Sequence, residues 1–340
     1  MTRYPAPLRP GDTIAVTAPS SGVGAALRPR LDHNVAWLRA RGYEVRVGDC
    51  LAGDRYVSAP RAQRAAELTA MLADPTVRAV VPPWGGELLV DLLDQLDWTA
   101  LADLEPTWVV GFSDLSTLLL PLTTRLGWAS IHGSNLMDTA YRTPEGLAHW
   151  TTLAALGEGE DVVQRSPGRY RDEGWDDYRA DPAVEEMTLP GTGSWTLVGG
   201  GGLDVTGRLV GGCVETVSHL AGTPFGDVPG YGELHAGDGL VVYLEAAEAD
   251  AYAVGRALHG LRLAGWFEQA TAVLVGRTRA PGHADLSQHD AVRDALGSLD
   301  VPIVLDVEVG HCQPFLPLVN GALARVVVDG DRREVTQQLL

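Results

Sequence analysis

Five short apolar runs alternate with segments of helical period over residues 13–134, and few folds accommodate that order. The runs are TIAVTAP (13–19), YEVRVG (43–48), VRAVVPPWGG (77–86), TWVVGFS (107–113) and ASIHGS (129–134). Most are rich in β-branched residues and too short for buried helices, so they predict strands. Between them, LRPRLDHNVAWLRARG (27–42), PRAQRAAELTAMLADP (60–75), ELLVDLLDQLDW (87–98) and DLSTLLLPLTTRLG (114–127) predict helices. Gly42 stops the first of these; Pro60 opens the second and Pro75 ends it. Repeated strand–helix–strand units give a mostly parallel sheet flanked by helices. Ligands of such sheets lie beyond the carboxyl ends of the strands.

A second α/β unit follows. It comprises a strand, glycine turn and short helix in GRLVGGCVETVSHLAGTP (207–224), a strand GLVVYLE (239–245), a helix at 249–267, a strand TAVLVGR (271–277), a helix at 285–299, a strand VPIVLDVEVG (301–310) and closing strands at 324–330 and 335–340. Residues 157–205 have no clear period and carry Tyr170, Trp175, Tyr178 and Trp195 among charges and glycines. So long a loop is a linker with a lid or binding surface, or a tolerated surface insertion. The expected fold is α/β with two domains: 1–156, and a second α/β or β-rich domain at 206–340, joined by a linker and substrate-binding loop at 157–205.

Charge narrows the partners. Against 26 Lys and Arg stand 44 Asp and Glu, a formal net charge of -18, which argues against nucleic acid polymers and anionic membranes. No apolar run is long enough to span a bilayer, and MTRYPAPLRPGD (1–12) has no apolar signal core, so a cytoplasmic enzyme is expected. Cys50, Cys213 and Cys312 are scattered and odd in number, which fits neither a close-spaced metal motif nor a disulfide framework.

Three residues past strand ends could carry chemistry. Ser113 ends WVVGFS and precedes a helix, where free backbone N–H groups can stabilise an oxyanion; equally, Ser113 or Asp114 could simply cap that helix. Residue 115 is leucine, so the G-x-S-x-G elbow is not matched. Glu245 ends VVYLE, and His311 opens the proline-rich HCQPFLPLVNG (311–321). Taken singly, each has a structural reading, a surface carboxylate and a satisfied histidine; together they supply the acid, base and nucleophile of a relay. The turn Trp84-Gly85-Gly86-Glu87 is a backbone donor nest or an ordinary tight turn. No dinucleotide fingerprint or phosphate loop occurs, so no cofactor is expected. The chemical rival is a metal at His283, Asp285, His289 and Asp290, but Asp285 is expected to cap the following helix and the spacing matches no zinc motif.

The ordered segments LRPGDTIAVTAPSS (8–21), PPWGGELLVDLLDQLDW (82–98), VVGFSDLSTLLL (109–120), TGRLVGGCVETVSHLAGTPF (206–225), VVYLE (241–245), AVLVGR (272–277) and GHCQPFLPLVNG (310–321) resemble the LD-carboxypeptidase family of serine peptidases. That family contains murein tetrapeptide carboxypeptidases and microcin C immunity carboxypeptidases. The resemblance implies Ser113 as nucleophile, Glu245 as triad acid and His311 as general base, with Gly85, Gly86 and the Asp114 N–H as the oxyanion region. It implies metal-free cleavage of an amide in a small peptide or peptidyl-nucleotide, in a homodimer. Two positions depart: Trp84 stands where the murein branch usually has arginine, and Cys213 where the family has asparagine. Trp84 and the aromatic loop resemble the immunity branch, whose loop tryptophan stacks on nucleotide; Trp175 is the first match for it and Trp195 the second. The alternatives are a murein tetrapeptide LD-carboxypeptidase and a non-catalytic small-ligand-binding protein.

Overall fold

A computed structural model of the chain describes residues 1–340. β1 (Thr13–Val16), β2 (Glu44–Val47), β3 (Val77–Val80), β4 (Trp108–Gly111) and β5 (Ser130–His132) form the expected parallel sheet, in the order β2-β1-β3-β4-β5. The helices Arg28–Ala40, Arg61–Ala73 and Ser116–Leu126 cross between successive strands. The last of these buries Leu118, Leu119, Leu120 and Leu122, each stabilising by about 1.5–3 kcal/mol.

Residues 157–205 are more ordered than a linker. β6 (Asp161–Arg165) and β9 (Thr196–Leu197) flank a small hairpin of β7 (Arg169–Tyr170) and β8 (Gly191–Thr192). The second sheet then adds β10 (Leu203–Cys213), β11 (Leu240–Glu245), β12 (Ala270–Gly276) and β13 (Ile303–Val307). β14 (Leu318–Asn320) returns to the first sheet as an antiparallel edge beside β5, and β15 (Leu323–Asp329) and β16 (Arg332–Gln338) complete the second. Its order is β6-β16-β15-β10-β11-β12-β13-β9, parallel from β10 to β13 and antiparallel at both flanks. The aperiodic segment thus supplies both edge strands.

The predicted helix 87–98 is absent. The chain forms a 3-10 turn at Leu89–Leu92 and a short helix at Trp98–Ala102. The Leu89 N–H bonds Asp114 Oδ2 (2.8 Å), and the Leu93 carbonyl, which a helix through 98 would pair with the Asp97 N–H, instead accepts from the Trp98 indole (2.7 Å).

One apolar cluster spans both halves, from Leu118 and Leu119 through Val210 and Val214 to Val242 and Leu258. β10 closes on the helix Ser116–Leu126 because Gly212 has no side chain; a Cβ there would lie 2.6 Å from Ser116 Cβ. The Cys213 N–H then reaches Ser116 Oγ at 3.0 Å. Halves joined by a shared apolar core move little relative to each other, so groups facing across the junction are preorganised.

Candidate active site

β4 is buried along its whole length and delivers the chain to the carboxyl edge of the first sheet. Ser113 sits just beyond, at φ 65°, and opens the 3-10 turn Ser113–Leu115 that leads into the helix. A non-glycine residue in that region carries strain of about 1–3 kcal/mol and persists only where its surroundings impose it. Here the Phe112 N–H is held by Asn135 Oδ1 at 3.1 Å. Asp114, fully buried, accepts from Ser20 Oγ (2.6 Å), the Leu89 N–H (2.8 Å) and Thr117 Oγ1 (3.3 Å). Neither Ser113 nor Asp114 caps the helix through a side chain-to-backbone bond. The Asp114 carboxylate instead ties together three loops, and burial raises its pKa against those hydrogen bonds.

The second sheet brings the other two residues. Glu245 ends β11, and His311 lies four residues past the end of β13. His311 Nε2 is 2.9 Å from Ser113 Oγ, and His311 Nδ1 is 2.8 Å from Glu245 Oε2. The Glu245 side chain is wholly inaccessible, whereas the imidazole keeps some access to solvent. Burial opposes charge on both groups, but each one's charge and their shared hydrogen bond outweigh it. The Glu245 pKa is therefore lowered and that of His311 raised. Phe112 meets the imidazole edge-on, 4.9 Å between centroids, and limits its rotation.

The glycine turn lies against the serine. A Cβ on Gly85 would stand 2.8 Å from the Asp114 nitrogen, 2.9 Å from Ser113 Cβ and 3.1 Å from Ser113 Oγ. Ser113, His311, Gly85, Gly86, Trp84 and Trp175 line one cleft of about 500 Å³, within the size range of small-molecule sites. Trp84 is fixed by its indole N–H to the Gly22 carbonyl (2.9 Å). Trp175 is 45% exposed, with the Arg279 guanidinium 5.1 Å above its ring. Trp195 is not at the cleft. It is 2% exposed, packed in the core of the second sheet, and donates to Glu308 Oε2 at 2.5 Å, which corrects the expectation that it contacts substrate.

Sequence reasoning passed over several neighbours. His132 closes β5, fully buried, its Nε2 3.9 Å from Glu245 Oε1, and burial lowers its pKa to about 4. Asp138 lines the cleft, accepts from the Tyr178 hydroxyl (2.6 Å), and burial raises its pKa to about 6. Arg30 is buried under Tyr178, 4.4 Å from its ring, and donates to the carbonyls of Met137 (2.8 Å) and Val184 (2.6 Å). Arg279 binds the carbonyls of Gly174 (2.5 Å) and His311 (3.2 Å), joining the Trp175 loop to the base. For His132 the available signal was position: IHGS ends a predicted strand, just as GFS does.

The proposed metal cluster does not assemble. His283 faces Asp250 (3.4 Å), His289 faces Asp306 (3.2 Å), and Asp285 accepts from Tyr252 (3.0 Å). The helix Gln288–Leu296 is capped by Ser287 with Asp290 in a capping box, not by Asp285. No helix is long and apolar enough to cross a membrane.

Comparison with known proteins agrees with this architecture. The LD-carboxypeptidase N-terminal domain matches residues 14–133, and the LD-carboxypeptidase C-terminal domain matches residues 206–326. A provisionally named carboxypeptidase of Streptomyces coelicolor is 30% identical over 96% of this chain and 93% of its own. The murein tetrapeptide carboxypeptidase of Pseudomonas aeruginosa is 26% identical over 72% of this chain and 69% of its own. The microcin C7 self immunity protein MccF, solved with aspartyl sulfamoyl adenosine, has the same fold: TM-score 0.83, 20% identity, 99% of each chain. Muramoyltetrapeptide carboxypeptidase from Oxalobacter formigenes also shares it, at TM-score 0.68, 19% identity, 96% of this chain and 98% of that one. With both domains matched in order over most of its length, the chain belongs to the LD-carboxypeptidase family of serine-type hydrolases.

Proposed function

We propose that this protein is a serine carboxypeptidase that cleaves an amide through Ser113, His311 and Glu245, on aminoacyl- or peptidyl-nucleotide substrates of the microcin C type. The observation that carries the reading is the unbroken relay of 2.9 and 2.8 Å from Ser113 through His311 to a fully buried Glu245, opening on a cleft. His311 Nε2 takes the Ser113 proton as Oγ attacks the substrate carbonyl. Glu245 holds the ring by Nδ1–H and offsets its positive charge. The backbone N–H groups of Gly86 and Asp114 receive the oxyanion. His311 then protonates the leaving amine and activates the water that releases the acyl group.

Trp84 and Trp175 on the cleft wall support a substrate with a planar base, since base–aromatic stacking is worth about 1–3 kcal/mol. The murein tetrapeptide reading is the second. It is favoured by the Pseudomonas relative's activity and by the fold shared with the muramoyltetrapeptide enzyme. A panel of murein tetrapeptides and aminoacyl sulfamoyl adenylates separates the two. Turnover of the adenylates, weakened selectively by Trp175→Ala, supports the first; turnover of murein peptides alone supports the second. In this scheme residues 1–156 supply the nucleophile, 157–205 the binding loop, and 206–340 the acid and base. The family resemblance also leads us to expect a homodimer, tested by sedimentation of the purified chain, and a cytoplasmic location, tested by cell fractionation.

A further inference from the structure

β10 and β11 run parallel in a register that pairs Cys213 with Glu245 at their carboxyl ends. The cysteine thiol is therefore built in beside the relay. Cys213 Sγ and ligand atoms of Glu245 and His311 all lie within 4.8 Å of one another. A second observation is independent of this spacing. Glu245 Oε1 is buried without a hydrogen-bond partner, and so is His132 Nε2, 3.9 Å away. An unpaired buried carboxylate oxygen is costly, and a cation relieves it. Thiolate, imidazole and carboxylate together are the donor types that select zinc and its thiophilic relatives.

We propose that Cys213, Glu245 and His311 form an inhibitory site for a thiophilic divalent cation such as Zn²⁺. The Cys213 S–H, which donates to Glu215 Oε2 at 3.1 Å, breaks; its proton leaves by way of that carboxylate, and an S–metal bond forms. His311 Nδ1 gives its lone pair to the metal, so the single proton of the neutral ring moves to Nε2. That nitrogen then presents N–H to Ser113 and no longer accepts its proton. Glu245 ligates through its carboxylate, and a water completes four-coordination. Of the three ligands only His311, its side chain 21% exposed, lines the cleft; Cys213 and Glu245 are buried behind it. The inhibitory consequence rests on the proposed function; the binding site does not.

The test is a titration of the purified full-length chain with Cd²⁺, reading the thiolate-to-metal charge-transfer absorbance, with Zn²⁺ as competitor. In parallel, Ser113 is labelled with a fluorophosphonate with and without Zn²⁺, and then after EDTA. One Cd²⁺ per chain is expected, with affinity reduced more than about 100-fold in Cys213→Ser, because even second-shell losses cost about 10–100-fold. Glu245→Gln, read by absorbance alone, is a second variant and should also lose the band. Zn²⁺ should block labelling, and EDTA should restore it. No band, or a band unchanged in Cys213→Ser, overturns the site. A band lost in Cys213→Ser but labelling indifferent to Zn²⁺ overturns the inhibition. Absence of labelling without any metal counts against the proposed function, while the absorbance still judges the site.

Discussion

Replacing Gly85 with alanine asks whether the glycine turn and the serine form one preorganised unit. The new methyl would sit 2.8 Å from the Asp114 nitrogen and 2.9 Å from Ser113 Cβ, whereas carbon atoms rest at about 3.5–4.0 Å. The obstructing atoms are backbone and a Cβ, so no rotamer relieves the overlap. The turn or the serine must yield by roughly half an ångström or more. A misplacement near 1 Å can cost about 10²-fold, and loss of one oxyanion donor about 10²–10³-fold. We expect kcat to fall by about 10²–10³ with KM little changed. Overpacking should cost about 1–3 kcal/mol of stability. Steady-state kinetics on the preferred substrate, with active-site titration by fluorophosphonate and a urea melt, measures both effects. Gly260→Ala is the control, since a Cβ there meets nothing within 4 Å. A Gly85→Ala enzyme with parental kcat would refute the reasoning.

Other outcomes follow from the same geometry. Gly310→Ala should inactivate without unfolding, because φ is +96° and a Cβ would stand 2.2 Å from Glu245 Oε2; parental activity would contradict this. Glu245→Gln should lower kcat by up to about 10⁴. It should also move the acid limb of kcat/KM to lower pH, because Glu245 is what raises His311 above its ordinary 6.5; an unmoved limb would count against the pairing. In the parent, the raised His311 value gives stability present below pH 6.5 and lost as pH rises through that raised value. The lowered Glu245 value gives stability present above its ordinary 4.5 and lost as pH falls through the lowered value. Melting temperature against pH should therefore show a shoulder between these ranges that Glu245→Gln abolishes. Arg30→Ala strands the carbonyls of Met137 and Val184. It should destabilise by about 3 kcal/mol or more and speed hydrogen exchange at residues 175–185; unchanged exchange would show that the loop is held by other contacts.

Much of this was legible because the strands are short, buried and separated by amphipathic helices. WVVG and VVYLE announce themselves as core strands, and their ends put Ser113 and Glu245 at sheet edges. What was not legible depends on contacts between distant residues. The run 87–98 has helical character, but the Trp98 indole takes the Leu93 carbonyl that a continuing helix would use, and the Leu89 N–H is anchored to Asp114, 25 residues away. Trp175 and Trp195 look alike in an aperiodic segment. They are separated only by the pairing of Thr196–Leu197 with β13, which draws Trp195 into the core and leaves Trp175 at the cleft. His132, Arg30 and Arg279 gain their positions from tertiary packing that no local pattern encodes.

The most direct test of the central claim is Ser113→Ala, assayed for amide cleavage across the substrate panel together with fluorophosphonate labelling. If Ser113 is the nucleophile, labelling vanishes and kcat falls by about 10⁴–10⁶, leaving only the residual rate that binding and the oxyanion donors provide, while the melting temperature stays near that of the parent. Undiminished cleavage by a folded Ser113→Ala protein would contradict it.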